Sequence, residues 1–179
     1  MGKKIFIVSS SPRKDGNSDI LAEQFARGAT QAGHSVKKVN IREMNLQFCL
    51  GCFACLQREG CVQRDDMNGL YAAVQSSDVL VFATPVYYYA VSGQLKTFLD
   101  RLNPLYPREN NFKEVYLLAT SAEGEESAMD GSVKDVQGWI DCFDGVTLKG
   151  VLRGIGVNDK GDVLSTDFPA KAYEMGKNV

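Results

Sequence analysis

Four cysteines lie close together in this chain and could bind a metal centre. They are Cys49, Cys52, Cys55 and Cys61, in the pattern C-x2-C-x2-C-x5-C. In ferredoxin-type runs the C-x2-C-x2-C part supplies three ligands of one [4Fe–4S] cluster, and Cys61 would be the fourth ligand here. Gly51 and Gly60 would let the segment curl. A loop that holds no metal and a zinc site are alternatives that the spacing leaves open.

A second group of polar residues follows the first apolar run of the sequence. Its hydroxyls, free backbone N–H groups and the Arg13 guanidinium converge where a helix is predicted to begin. The first turn of a helix leaves N–H donors unpaired and the helix dipole favours negative charge there, so this loop predicts an anion site. The alternative is an ordinary loop in which Asn17 or Ser18 caps the helix. The residues assigned to the anion site are Ser9, Ser11, Arg13, Gly16, Asn17 and Ser18.

The type of anion follows from motifs that the loop lacks. The sequence has no G-x-x-x-x-G-K-S/T, which would indicate a triphosphate, and no G-x-G-x-x-G. No acidic residue closes the second predicted strand, where the ribose of a dinucleotide would need one. A terminal monophosphate therefore suits this loop better than a pyrophosphate does.

Short apolar runs alternate with helical patterns along the chain, and these elements must position both groups. The predicted strands are Lys4–Ser9, Ser35–Ile41, Asp78–Thr84, Val115–Thr120 and a run within Val146–Val157. A helix is predicted after each strand, the second from about Asp66 and the last over Thr166–Lys177. The alternation predicts an α/β fold, a doubly wound five-stranded parallel sheet in the order 2-1-3-4-5 with helices on both faces. Ligands bind such sheets beyond the carboxyl ends of the strands.

Two of the loops at this predicted edge carry motifs that resemble a known family. The stretch SSSPRKDGNS resembles the phosphate loop of flavodoxin-like NAD(P)H-dependent FMN reductases, often G-S-P-R-K-x-G-N-S/T, with Ser10 in place of the first Gly. The stretch DVLVFATPVYYYAVSGQLKTFLDR resembles the same family, which often has S/T-P-x-Y before a helix x-L-K-x-F-x-D-R. With the C-terminal AYEMGKNV, the resemblance covers nearly the whole chain. It implies a flavodoxin-like fold, bound FMN and a homodimer or homotetramer.

The resemblance also implies how the site would work. The loop Ser11–Ser18 would bind the FMN phosphate, and the loops after the third and fourth strands would flank the flavin ring. The residues assigned to these two loops are Thr84, Pro85, Val86, Tyr87, Tyr88, Thr120, Ser121 and Ala122. NAD(P)H would pass hydride to N5 of the flavin, so no catalytic side chain is expected. The electrons would continue to a quinone, a flavin, a metal ion or a protein.

Other functions remain open at this level. The chain could be an electron carrier that does not react with NAD(P)H, or a flavin-binding module without turnover. The cysteine segment resembles the iron–sulfur flavoprotein branch of the family, but other members with cysteines there, followed by D-D-M as at Asp65–Met67, have no cluster. We therefore favour a cysteine loop without a cluster.

Several residues carry weaker expectations. Tyr88 and Tyr89 need cover, which either a stacked flavin ring or a subunit interface would give. Lys96, Asp100 and Arg101 are expected on a solvated helix face with an ion pair, and Cys142 is expected to be a buried apolar side chain.

Composition limits the class of protein and its partners. The formal net charge of -2 and the 44% hydrophobic content indicate one folded domain over residues 1–179, with a cysteine-containing insertion at about 42–65. No basic block suggests nucleic acid or anionic lipid as a partner. No run is apolar and long enough for a membrane span or a signal peptide, so we expect a cytoplasmic protein.

Overall fold

The central sheet is built from short apolar runs, and its middle strands are buried on both faces. In this computed structural model, which describes residues 2–179, the strands are β1 (Lys4–Ser9), β2 (Ser35–Asn40), β3 (Val79–Tyr87), β4 (Ala90–Val91), β5 (Glu114–Thr120) and β6 (Thr147–Gly154). β1, β3 and β5 are almost continuously buried, whereas the edge strands β2 and β6 consist mostly of half-buried and exposed positions. A parallel sheet that helices cover on both faces needs this pattern.

The order of the sheet confirms the predicted fold. The parallel strands lie in the order β2-β1-β3-β5-β6, which is 2-1-3-4-5 when only the parallel strands are counted. The chain therefore has the flavodoxin-like α/β fold. The strand register places Ser9 beside Ala83 and Pro85 beside Thr120 at the carboxyl edge. The loops after β1, β3 and β5 meet at this edge.

Five α-helices flank the sheet in the part of the chain that the structure describes. They are α1 (Asn17–Gln31), α2 (Tyr71–Gln75), α3 (Gly93–Arg101), α4 (Asp130–Ile140) and α5 (Phe168–Lys177). The helix predicted from about Asp66 begins instead as a 3-10 turn over Asp66–Gly69, where the Asp65 carboxylate accepts from the Met67 N–H. None of the helices within residues 2–179 is long and apolar enough to cross a bilayer.

The third strand continues past its predicted end at Thr84. Pro85 stays in the parallel ladder beside Thr120, while Val86 and Tyr87 pair antiparallel with β4. β3 and β4 form a hairpin that the sequence did not predict, because its two turn residues are tyrosines and not the usual Asn-Gly.

Two apolar cores cover the two faces of the sheet. One lies under α2, α3 and α4, and the other lies under α1 and α5. α1 and α5 approach backbone to backbone, because a Cβ atom on Gly28 would overlap the Tyr173 carbonyl oxygen and one on Gly176 would overlap that of Phe25. This contact fixes α1, whose first turn faces the carboxyl edge of the sheet.

Candidate functional site

The predicted anion loop winds tightly into the first turn of α1. The Ser11 hydroxyl donates to the Arg13 carbonyl oxygen at 2.8 Å and accepts from the Arg13 N–H at 3.2 Å. The Gly16 N–H donates to the same carbonyl at 3.1 Å. No side chain caps the helix, so the alternative in which Asn17 or Ser18 caps it is wrong. The first N–H groups of α1 are left available to an anion.

A cavity of about 100 Å³ lies in front of this turn. It collects residues from the loops after β1, β3 and β5, as the topology predicts. The predicted site residues that line it are Ser11, Arg13, Gly16, Asn17, Ser18, Pro85, Val86, Tyr87, Thr120 and Ala122. The structure therefore brings most of the assigned residues together in one place.

Four assigned residues do not line this cavity. Ser9 is fully buried at the end of β1, where its hydroxyl lies close to the Asp19 carboxylate. The Thr84 hydroxyl donates to the Pro85 carbonyl oxygen and accepts from the Ser92 N–H. The Ser121 hydroxyl accepts from the Glu123 N–H at 3.0 Å. Tyr88 is fully exposed. Thr84 and Ser121 thus use their hydroxyls within the loops of the carboxyl edge, while Ser9 Oγ is buried without a hydrogen-bond partner within residues 2–179.

The loop after β6 also lines the cavity, and the sequence analysis missed it. Val157 and Asn158 contribute to the lining. Arg13 donates from Nη1 to the Asn158 carbonyl oxygen at 3.0 Å, and Asn17 donates from Nδ2 to that of Asp159 at 2.9 Å. The rule that led to the first three loops applies equally to the last strand, and it would have found these residues.

The residues of this cavity suit a phosphate group. Ser18 Oγ is buried and has no hydrogen-bond partner within residues 2–179. A Cβ atom on Gly16 would overlap the Ser11 hydroxyl, so the loop has no room for a side chain at that position. An unpartnered hydroxyl and uncapped N–H groups beside a guanidinium are donors that a phosphate would satisfy.

The one carboxylate in the first turn of α1, that of Asp19, is paired with two cations. Asp19 is bound by Lys38 Nζ at 2.8 Å and by Arg42 Nη1 at 2.9 Å. Burial alone would raise the pKa of Asp19, but the hydrogen bonds from Lys38 and Ser9 and the Lys38 and Arg42 charges hold it below its ordinary value. The carboxylate therefore stays ionised, and its two cations offset the charge that it would present to a bound phosphate.

A larger recess, of about 730 Å³, lies at the other end of the sheet. It is formed by the segments that precede β5 and β6, and its lining includes Arg108, Lys113 and Asp144. None of the assigned residues contributes to it. Because ligands of open α/β sheets bind at the carboxyl ends of the strands, the smaller cavity is the candidate site.

The hairpin beside the candidate site is strained. Tyr88 and Tyr89 have φ values of 50° and 64°, in the left-handed region that favours glycine. Two contacts from α4 hold the tip in place. Gly131 leaves no room for a Cβ atom against the Tyr89 carbonyl oxygen, and Asp135 accepts from the Val91 N–H at 3.1 Å. The structure therefore holds two exposed aromatic rings in a costly conformation next to the cavity.

The four clustered cysteines line a second, small cavity of about 20 Å³, together with Asp100, Arg101 and Asn103. Cys55 is buried and accepts a hydrogen bond from Asn103 Nδ2 at 3.3 Å, Cys61 is half-buried, and the other two thiols are exposed. Gly51 and Gly60 have φ values of 61° and 70°, as the curled segment was predicted to need.

Four cysteines are the donor set of an iron–sulfur cluster and also of a zinc ion. No three His, Cys, Asp or Glu side chains within residues 2–179 are placed to hold a metal ion as they stand. Tetrahedral zinc, with Zn–S of about 2.3 Å, would need the sulfurs within about 4 Å of one another. A four-iron cluster also takes four cysteine ligands, and the cavity of about 20 Å³ would have to widen to admit it.

Two expectations about helix residues are wrong. Arg101 does not lie on a solvated face, because its side chain is only 1% exposed and forms an ion pair with Asp65. Cys142 is exposed and not buried. Lys96 and Asp100 do form the expected exposed ion pair, at 2.6 Å.

Burial raises the pKa of Tyr71, which lies near Arg101, to about 12, so this hydroxyl remains protonated near neutral pH.

Comparison with known proteins identifies the family to which this chain belongs. The family model described as NADPH-dependent FMN reductase matches residues 3–155 of the chain. An iron-sulfur flavoprotein of Archaeoglobus fulgidus is 33% identical over 176 residues, which are 96% of this chain and 76% of the relative. An iron-sulfur flavoprotein of Methanocaldococcus jannaschii is 29% identical over 102 residues, and only about half of that relative, 53%, is covered.

Solved structures support the fold. An NAD(P)H:quinone oxidoreductase from Methanothermobacter marburgensis superposes with a TM-score of 0.75. The superposition includes 99% of this chain and 97% of that protein's chain. At 20% identity, this likeness bears on the fold alone.

Proposed function

We propose that this chain, which belongs to the NADPH-dependent FMN reductase family, binds FMN at the carboxyl edge of its sheet and takes hydride from NAD(P)H. The observation that carries the proposal is the uncapped first turn of α1, with the buried, unpartnered Ser18 hydroxyl and the Arg13 guanidinium beside it. These donors suit the terminal phosphate of a mononucleotide. The acceptor of the electrons would be a quinone, a flavin, a metal ion or a protein.

The protein's own residues would bind and orient the cofactor. The turn from Ser11 to Ser18 would hold the phosphate, while Pro85–Tyr87 and Thr120–Ala122 would flank the ring. Bound FMN would supply N5 as the hydride acceptor. No histidine or carboxylate is among the residues that line the cavity, so the side chains here offer position and hydrogen bonds and no acid or base. Half-exposed Tyr87 lies at the rim, where a nicotinamide would approach.

The FMN proposal is tested by titrating the apo-protein with FMN. Arg13→Ala should weaken binding by about 1.5–3 kcal/mol, the typical contribution of a hydrogen bond to a charged group. Lys14→Ala is the matched control, because Lys14 is the neighbouring exposed cation and does not line the cavity. Equal affinities for the two variants would remove Arg13 from the site.

The reductase proposal is tested by the rate at which the bound flavin bleaches. Stopped-flow mixing of the holoprotein with NADH or NADPH under anaerobic conditions should reduce the flavin with saturable kinetics. If neither nucleotide reduces a flavin that dithionite does reduce, the protein is an electron carrier or a binding module and not a reductase.

A second candidate function rests on the cysteines. All four line one cavity, and the relatives from Archaeoglobus fulgidus and Methanocaldococcus jannaschii are iron-sulfur flavoproteins. With one [4Fe–4S] cluster bound by Cys49, Cys52, Cys55 and Cys61, the protein would be an electron-transfer partner of a one-electron acceptor. Anaerobic reconstitution with iron and sulfide should then retain about four irons per chain. A chain that retains no iron would rule this function out.

We also propose that the protein assembles as a homodimer or homotetramer. Tyr88 and Tyr89 are exposed at the hairpin tip, and Phe48, Leu50 and Phe53 are exposed on the cysteine segment. Large apolar side chains grouped on a surface are commonly covered in an assembly. Light scattering at tens of micromolar should give a mass of two or four chains, and the mass of one chain would contradict the proposal.

A further inference from the structure

A buried ion pair closes the base of the cysteine segment. Arg101, the last residue of α3, donates from Nη1 to Asp65 Oδ2 at 2.5 Å and from Nη2 to Asp65 Oδ1 at 2.9 Å. The same guanidinium donates to the Gln47 carbonyl oxygen at 2.7 Å. Asp65 in turn accepts from the Gln47 N–H at 2.8 Å. Residues 47 and 65, which bracket the four cysteines, are thus held together on one side chain.

Arg101 also lies in the wall of the cavity that the four cysteines share. Arg101 and Asn103 line the small cavity with the four cysteines, and Asn103 donates to Cys55. Arg101 Nε is buried beside the hydroxyl of Tyr71, on which the guanidinium charge also acts. The donors of a guanidinium lie in one plane. The two bonds to the Asp65 carboxylate therefore fix the orientation of the whole Arg101 head group. The cavity that the cysteines share therefore has a buried cation and an amide donor in its wall.

We propose that Arg101 is the positioning residue of the four-cysteine site. Its fork with Asp65 and its bond to the Gln47 carbonyl hold the two ends of the segment together, while Asn103 donates to the Cys55 sulfur. A lysine would keep the charge but could not bind Asp65 and the Gln47 carbonyl in one plane. The iron-binding consequence rests on the cluster proposed above, whereas the placement of the thiols does not.

The experiment measures how fast each cysteine is alkylated in the FMN-loaded protein, with mass spectrometry of the peptides. In the wild type, Cys55 should react slowest of the five cysteines. In Arg101→Lys, the Cys55 rate should rise at least tenfold, and after anaerobic reconstitution less than half of the wild-type iron should remain. Arg27→Lys is the matched control, since exposed Arg27 contacts only Gln24 and should change none of these values.

The possible results separate the two proposals. If the wild-type protein takes up no iron, the cluster proposal is wrong. The alkylation rate of Cys55 then still decides whether Arg101 positions the thiols. An unchanged Cys55 rate in an Arg101→Lys protein that retains FMN overturns the inference. If that variant does not fold, Asp65→Asn, which keeps the shape of the carboxylate, should show the same faster alkylation, and an unchanged rate there overturns it too. A wild-type Cys55 that reacts as fast as Cys52 would mean that the segment is not held at all.

Discussion

The phosphate loop and the cysteine segment are two candidate sites that the fold holds in different ways. The phosphate loop, Ser11–Ser18, lies where three parallel strands end, so the register of the sheet places its neighbours. The cysteine segment, residues 47–65, has no strand and exposes several large apolar side chains. Its ends are joined by one buried guanidinium and by a few hydrogen bonds, such as that from Gln63 to the Phe48 carbonyl oxygen. The strands of a sheet support a site at their ends from several sides, whereas an irregular segment depends on a few side-chain contacts, of which the buried ion pair is the strongest here.

The largest effect is expected where the buried ion pair is removed. Asp65→Ala leaves the Arg101 charge buried without its partner and should lower the free energy of unfolding by about 3–5 kcal/mol. The control is Asp100→Ala, which breaks an exposed pair on the same helix and should cost less than about 0.5 kcal/mol. Urea unfolding of both variants measures the difference. Similar losses in the two proteins would mean that the cysteine segment is not held by its ion pair.

Acid should weaken the same contact in the wild type. Burial alone would raise the pKa of Asp65, but hydrogen bonds from Arg101 and Gln47 hold it below its ordinary value. A carboxyl with a lowered pKa in the folded state contributes stability that is complete above the unfolded value of about 4. That stability is lost as the pH falls through the folded pKa. Unfolding free energies between pH 7 and 3 should fall less steeply in Asp65→Asn, although Asp19 contributes to both curves.

The hairpin tests how much strain the sheet edge can support. Replacing the turn by Asn-Gly, as Tyr88→Asn with Tyr89→Gly, places residues that tolerate positive φ where tyrosines now stand. The fold should gain about 1–2 kcal/mol in urea unfolding under conditions where the protein is monomeric. Flavin reduction by NAD(P)H should slow if the rings contact the cofactor. A double variant that is less stable would show that the rings pack in a way their exposure does not suggest.

The smallest effect belongs to the phosphate loop itself. Gly16→Ala would push the Ser11 hydroxyl aside and should weaken FMN binding by about 1 kcal/mol, the value of one hydrogen bond. Gly138→Ala is the control, because a Cβ atom there meets open space in the middle of α4. It should leave FMN affinity unchanged. Calorimetric titration would show the contrast, and equal affinities would mean that Ser11 does not help to hold the phosphate.

The sequence predicted what depends on local pattern. The strand order follows from alternation and handedness, and the uncapped start of α1 follows from a polar loop between an apolar run and a helical stripe. The same local signals located most of the residues that line the cavity.

Contacts between distant residues could not be predicted in this way. Asn17 donates a hydrogen bond to Asp159, which lies 142 positions later in the chain. No local sequence pattern around either residue indicates that Asn17 anchors the last loop. Arg101 resembles any helix-end arginine until the fold brings Asp65 beside it. The hairpin was missed because two tyrosines with positive φ contradict the usual turn preferences, and only α4 explains how they are held.

The glycine contact between α1 and α5 has a consequence for the order of events during synthesis. α1 carries the phosphate turn near the beginning of the chain, yet its backbone packs against Tyr173 and Gly176, which the ribosome adds near the end of the described residues. Until those residues have emerged, α1 lacks one wall of its packing. We therefore expect a nascent chain that stops before α5 to capture FMN poorly, so that cofactor loading waits for the synthesis of α5.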